Sequence, residues 1–186
     1  MSGLNWPPAR SGCIIYAVKI YFGAVNVSDV GEAGQQRLVV KRDHFIIHNE
    51  WNSNLFANDI AMIKLPMSLI FDDYIKAVQL PKPRLQYEFS EATISGWGHL
   101  NGNWDPSLKY HNAPILPDRD CERIFKSIIT SAVPSSLICI ATDEHSPCKG
   151  DSGGPLVIWH ESNFVLLGIA SFITNPVCQP DYPLTC

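Results

Sequence analysis

The chain has 186 residues, 46% of them hydrophobic, and a net charge of −4. That length allows a sizeable core in one domain or two small ones, and its 14 lysines and arginines are scattered, with Lys41-Arg42 the one adjacent pair, which argues against a nucleic-acid footprint. The six cysteines, at 13, 121, 139, 148, 178 and 186, show no C-x-x-C spacing, so disulfides are the better reading than a zinc knuckle or a thioredoxin-like site. Disulfides imply an oxidising, extracellular compartment. Met1 to Arg10 is polar, contains Pro7 and Pro8 and does not read as a secretion signal; Ile14 to Ala24 is interrupted by Lys19 and is too short to cross a bilayer.

Helical periodicity is scarce. Short β-branched and aromatic runs recur between Gly, Pro, Asn and Asp clusters, and predict strands at Ile14–Phe22, Arg37–Val40, Phe45–His48, Ile60–Leu65, Ala92–Trp97, Ala113–Leu116 and Pro155–Ile158. Asp118–Ile129 is the one helical candidate, with Asp118 or Asp120 as cap. Two prolines spaced by lysine in Leu80-Pro81-Lys82-Pro83-Arg84 suit an extended linker between two halves. The pattern is that of an all-β protein.

Chemistry is concentrated in Cys148-Lys149-Gly150-Asp151-Ser152-Gly153-Gly154-Pro155-Leu156. A nucleophilic serine must stand on a tight turn whose own N–H groups face a developing oxyanion, and glycine permits the positive φ and close substrate approach this needs. Gly150 and Ser152 would supply those donors. The segment resembles the nucleophile loop of the chymotrypsin/trypsin family of serine proteases, and other landmarks follow in order. Asn58-Asp59-Ile60-Ala61-Met62-Ile63-Lys64-Leu65 is similar to the segment carrying the triad aspartate, Ser95-Gly96-Trp97-Gly98 to the turn opening the second barrel, and Ser171-Phe172-Ile173 to the strand that pairs with substrate backbone. The wording is closest to arthropod digestive chymotrypsin-like and elastase-like members.

The resemblance implies two six-stranded antiparallel Greek-key barrels and a short intermediate helix, with residues 1–84 a remnant of the first barrel (1–13 of unclear origin) and 85–186 the second. It implies Ser152 as nucleophile, Asp59 as the buried carboxylate that orients an imidazole, and disulfides Cys121–Cys139 and Cys148–Cys178. Cys13 and Cys186 have no family partner here; they could be free thiols, could pair together or could mark foreign sequence. The pocket positions become Ser146, six before the serine, with Ser171, Phe172 and the wall positions Ile173 and Thr185. An uncharged Ser146 argues against basic side chains, and Ile173 with Thr185 would narrow the entrance, so small apolar side chains are the expected preference.

The general base is the exception. The family places it in a Thr-Ala-Ala-His-Cys segment, whereas here Ser11-Gly12 precede Cys13 and no histidine occurs before His44. The six histidines, at 44, 48, 99, 111, 145 and 160, fall on strand edges and loops and none suits the role. Active members also carry an Ile-Val-Gly-Gly-like start whose freed amine pairs with the aspartate before the serine. Asp151 would lack that partner, so the loop is expected to turn outward and leave the Gly150 N–H misaligned. Both ends read as cut relative to a complete family domain.

Two functions follow from the resemblance: a secreted serine endopeptidase acting through an acyl-enzyme, inactive as written, or a non-catalytic homologue that binds or regulates. The implied partners are protein or peptide substrates and protease inhibitors, with no nucleic acid, no membrane and a monomeric state. No metal cluster or phosphate-binding loop is legible, so no cofactor is implied. Asn26-Val27-Ser28 matches the glycosylation acceptor pattern.

Overall fold

The computed structural model describes residues 15–52, 57–82, 87–88, 90–99, 103–128, 134–141, 147–173 and 184–185. These fall into two compact units: one of the described residues up to Ala77 with Pro106–Leu108, the other from Val78 to Asp105 and from Lys109 onward.

In the first unit, β1 (Ala17–Phe22) pairs antiparallel with β2 (Gln36–Lys41), from Ala17 opposite Lys41 to Phe22 opposite Gln36. Ile20 and Val40 turn inward and are buried, as is Ile75. A 3₁₀ turn at Arg42–His44 leads to β3 (Phe45–Ile47), which pairs with β4 (Ala61–Ile63). The predicted first strand begins at Ala17 rather than Ile14 within the described residues.

The second unit is built on a four-stranded antiparallel sheet. β5 (Glu91–Gly96) lies between β6 (Lys109–Pro114) and β8 (Pro155–His160), and β9 (Asn163–Ile169) follows β8. Strand alternation puts Ala92, Ile94, Ala113, Leu156, Ile158 and Val165 on one face, where they form the core with Ile115, Ile140 and Ala170. The open edge of β9 is covered by Gln79, whose carbonyl accepts from Leu166 N (2.8 Å) and whose N–H donates to Phe164 O (3.2 Å). The short strands β7 (Cys139–Ile140), β10 (Phe172–Ile173) and β11 (Leu184–Thr185) form a three-stranded sheet in the order β10-β11-β7, joined to the core through a bridge between Ile115 and Ile140.

Helix α1 spans Asp118–Ile128, matching the predicted segment through its described end. Asp118 and Asp120 stand in its first turn, where negative charge complements the exposed N–H groups. Cys121 and Phe125, one turn apart, form the inward face; Phe125 meets the ring of Phe172 edge-on at 6.1 Å, and Cys121 forms a disulfide with Cys139.

Two expectations shift. The strand predicted at Ala113–Leu116 runs from Lys109 to Pro114 instead, because the outward face of Lys109-Tyr110-His111-Asn112 is polar and disguises it. β9 was not predicted as a strand. It follows β8 through a two-residue turn, Glu161-Ser162, whose φ values of 47° and 63° are those glycine or asparagine ordinarily supply.

Candidate functional site

The glycine-flanked serine sits on the connection from Pro147 into β8, in the second unit. Its backbone is cross-braced. Asp151 N donates to Cys148 O (3.1 Å), Gly154 N donates to Asp151 O (2.8 Å), and Gly153 N donates to Ala170 O (2.7 Å), while Ala170 N returns a bond to Gly154 O (2.9 Å). Gly150 and Gly153 hold φ of 101° and 81°, which side-chain-bearing residues rarely adopt. A Cβ on Gly154 would lie 2.8 Å from two carbonyl oxygens, those of Asp151 and Ser95, so the turn presses directly on the end of β5.

Asp151 does not swing outward as expected. Its Oδ1 accepts from Gly98 N (2.8 Å) and its Oδ2 from Cys148 N (2.9 Å). The carboxylate lies against Gly96 and Gly98, in space a Cβ on either glycine would take. Two backbone amides thus satisfy the half-buried charge, and the outward turn loses its driving force. Asp151 also lines a small cleft of about 50 Å³, shared with His99, Tyr110 and His111.

Ser152 is half-buried at the crest of this turn. Among the described residues, neither its hydroxyl nor the N–H groups of Gly150 and Ser152 make a hydrogen bond within the protein. Unengaged backbone N–H groups on a braced turn are able to donate to a ligand oxygen without breaking any existing bond.

Ser171 and Phe172 directly follow Ala170, the residue bonded twice to the serine turn. In the β10–β11 pair Phe172 stands opposite Thr185 and Ile173 opposite Leu184. The two wall positions expected together, Ile173 and Thr185, are therefore one rung apart. Leu184, not Thr185, is the residue opposite Ile173; the register of a two-residue strand has no signature of its own in the chain. Ser146 and Cys178 lie outside the described residues, as do Cys13 and Cys186. Cys148 is disulfide-bonded.

Asp59 belongs to the first unit, immediately after Asn58, whose φ is 59° and whose Nδ2 donates to Glu50 O (3.1 Å). It is exposed rather than buried, because it lies in the turn ahead of β4 while the core side chains of that unit come from β1, β2 and Ile75. Of the described histidines, His44 Nδ1 contacts Lys64 O (2.9 Å), His48 Nδ1 accepts from Glu50 N (3.2 Å), and His99 Nδ1 contacts Lys149 O (3.1 Å). His160 Nε2 lies 3.8 Å from Glu161. His145 is outside the described residues.

An antiparallel β protein with one short α-helix among its described residues and an aspartate-braced serine turn is the class that fold and site define together. The family described as Trypsin matches residues 11–185, and the chain belongs to it, with the all-β fold of that family. Among curated proteins it is 33% identical over 186 residues to a collagenase of Hypoderma lineatum, covering 97% of this chain and 66% of that one. It is 34% identical over 174 residues to trypsin II-P29 of Gallus gallus (90% and 65%), and 30% identical over 173 residues to serine protease 1 of Canis lupus familiaris (90% and 65%). The chain thus spans about two thirds of the length of these relatives.

Proposed function

We propose that this chain carries the acylation turn of a secreted serine endopeptidase, with Ser152 as the nucleophile, the N–H groups of Gly150 and Ser152 as oxyanion donors and Asp59 as the carboxylate that would orient an imidazole. The observation that supports this reading best is the Asp151 brace: the charge is bound by Gly98 N and Cys148 N while, among the described residues, the N–H groups of Gly150 and Ser152 make no hydrogen bond. Such an arrangement stabilises negative charge on a substrate carbonyl without reorganising at the moment of reaction.

A serine hydroxyl is a weak nucleophile until a neighbouring base takes its proton, and the same base must later protonate the leaving amine. In this sequence Gly12 precedes Cys13 where the family has its histidine. The chain as it stands is therefore catalytically silent. It is a serine endopeptidase by fold and turn, lacking the proton carrier. The same absence supports the second reading, a homologue that binds protein partners without cleaving them.

The substrate side favours small apolar side chains. Ser146 brings no charge, and the branched residues Ile173 and Thr185 at the two wall positions support a narrow entrance. Protein and peptide chains are the substrate class, protease inhibitors are further partners, and a secretory route supplies the oxidising environment for the disulfides.

A fluorophosphonate probe tests the reading, because it reacts usefully only with an activated serine. The chain is expected to stay unlabelled. Labelling that vanishes in Ser152→Ala would overturn the assignment of silence and require another base.

A further inference from the structure

The connection between β1 and β2 carries the only Asn-X-Ser/Thr triplet with X other than proline in the sequence, Asn26-Val27-Ser28. From its atoms upward, we infer that Asn26 is an acceptor for an N-linked oligosaccharide. This rests on the secretory route proposed above.

Every polar atom of Asn26 except one is occupied. Its N–H donates to the carboxylate of Glu32 (3.2 Å to Oε1, 3.1 Å to Oε2). Its carbonyl accepts from Asp29 N (3.1 Å) and Gln35 Nε2 (3.1 Å). Its side-chain Oδ1 accepts from Ser28 N (2.9 Å), an Asx turn across the acceptor triplet. Among the described residues only the side-chain amide nitrogen, Nδ2, is idle, and it is the atom that glycosylation consumes.

The surroundings leave room for a bulky substituent. Ser28, Asp29 and Val30 are exposed, Val30 at 82%. The loop draws its order from elsewhere: Glu32 accepts from both Val25 N and Asn26 N, and Arg37 Nη2 donates to the carbonyls of Val27 and Asp29 (3.2 Å each). Val27 N and Leu108 N add backbone bonds to Pro106 O and Val25 O. None of these contacts uses Nδ2, so attachment leaves the loop's bonding intact.

The transfer balances simply. Nδ2 attacks the anomeric carbon of a polyprenyl-pyrophosphate-linked oligosaccharide. A C–N bond forms, the C–O bond to the pyrophosphate breaks, and its electron pair leaves with the lipid pyrophosphate. One amide proton passes to a base of the transferase, and nothing is oxidised or reduced.

The test is to express the chain through the secretory pathway of a eukaryotic host and compare masses before and after peptide N-glycosidase, with the Cys121–Cys139 disulfide mapped in the same sample. A discrete loss of mass, with residue 26 recovered as aspartate, is expected. Ser28→Ala should abolish it while the disulfide still forms, because the bond to Oδ1 comes from the backbone N–H of residue 28 and survives the substitution. Ser28→Thr should keep it. Disulfide-bonded wild type whose mass the enzyme leaves unchanged would overturn the assignment and reduce Asn26 to a turn residue. Protein with neither the disulfide nor the glycan would overturn the secretory reading, and the acceptor assignment with it.

Discussion

Replacing Gly98 by alanine is a direct test of the brace under the serine. A methyl carbon there would stand 2.6 Å from Asp151 Oδ1 and closer still to Oδ2 and Cγ, so the carboxylate must move. Gly98 is not among the positive-φ glycines, and alanine is otherwise acceptable to the backbone. On an unobstructed site the substitution would be neutral or stabilising by about 0.4–1 kcal/mol. Here it breaks two hydrogen bonds to a charged group, from Gly98 N and Cys148 N. Each is worth about 1.5–3 kcal/mol. Asp151 is half-buried and borders a cleft where water can rehydrate it, so the lower end applies, about 3 kcal/mol together. For a chain of this size that is a drop in melting temperature of roughly 6–12 °C. The assay is thermal unfolding of Gly98→Ala, Asp151→Ala and the double variant as a cycle. In the Asp151→Ala background the Gly98→Ala penalty should largely disappear. A Gly98→Ala chain melting at or above the parent, or penalties that simply add, would refute the argument.

Two further outcomes follow from the second unit. Replacing Cys121 and Cys139 together by alanine opens a link across a sequence separation of 18 and should cost about 3 kcal/mol by chain entropy, read as a lower denaturation midpoint; an unchanged midpoint would contradict it. The Tyr87 phenol is pushed above its ordinary range by burial first, then by the Asp118 and Glu88 carboxylates. Its neutral form is thus favoured by folding, a contribution fully present below about pH 10, the unfolded value, and lost as pH climbs from there through the raised folded value. Tyr87→Phe should therefore flatten the fall in urea midpoint on the alkaline side of about pH 10, and a decline as steep as the parent's would exclude the effect.

The strands richest in β-branched residues were readable from the chain, because runs such as Leu38-Val39-Val40 and Leu156-Val157-Ile158 favour extended backbone, in which alternate members (Val40, Leu156 and Ile158) are buried. β6 and β9 were harder for opposite reasons. The first hides its inward Ala113 behind polar neighbours, and the second is entered through a turn built from Glu161 and Ser162 rather than a recognisable turn pair. The serine turn was legible because its chemistry resides in residue types. Its brace was not, since Gly98 N lies 53 residues from Asp151 and a backbone donor leaves no mark in the sequence. The same limit applies to the pairing of Ile173 with Leu184, which only strand register reveals.

Ala170 has a mechanical consequence. Its carbonyl and its N–H both grip the serine turn, at Gly153 and Gly154, and the next two residues open the stretch Ser171-Phe172. One residue is therefore both the end post of that stretch and the tie rod of the turn. A pull on Ser171-Phe172 is therefore passed to Gly153 and Gly154 through the two hydrogen bonds of Ala170.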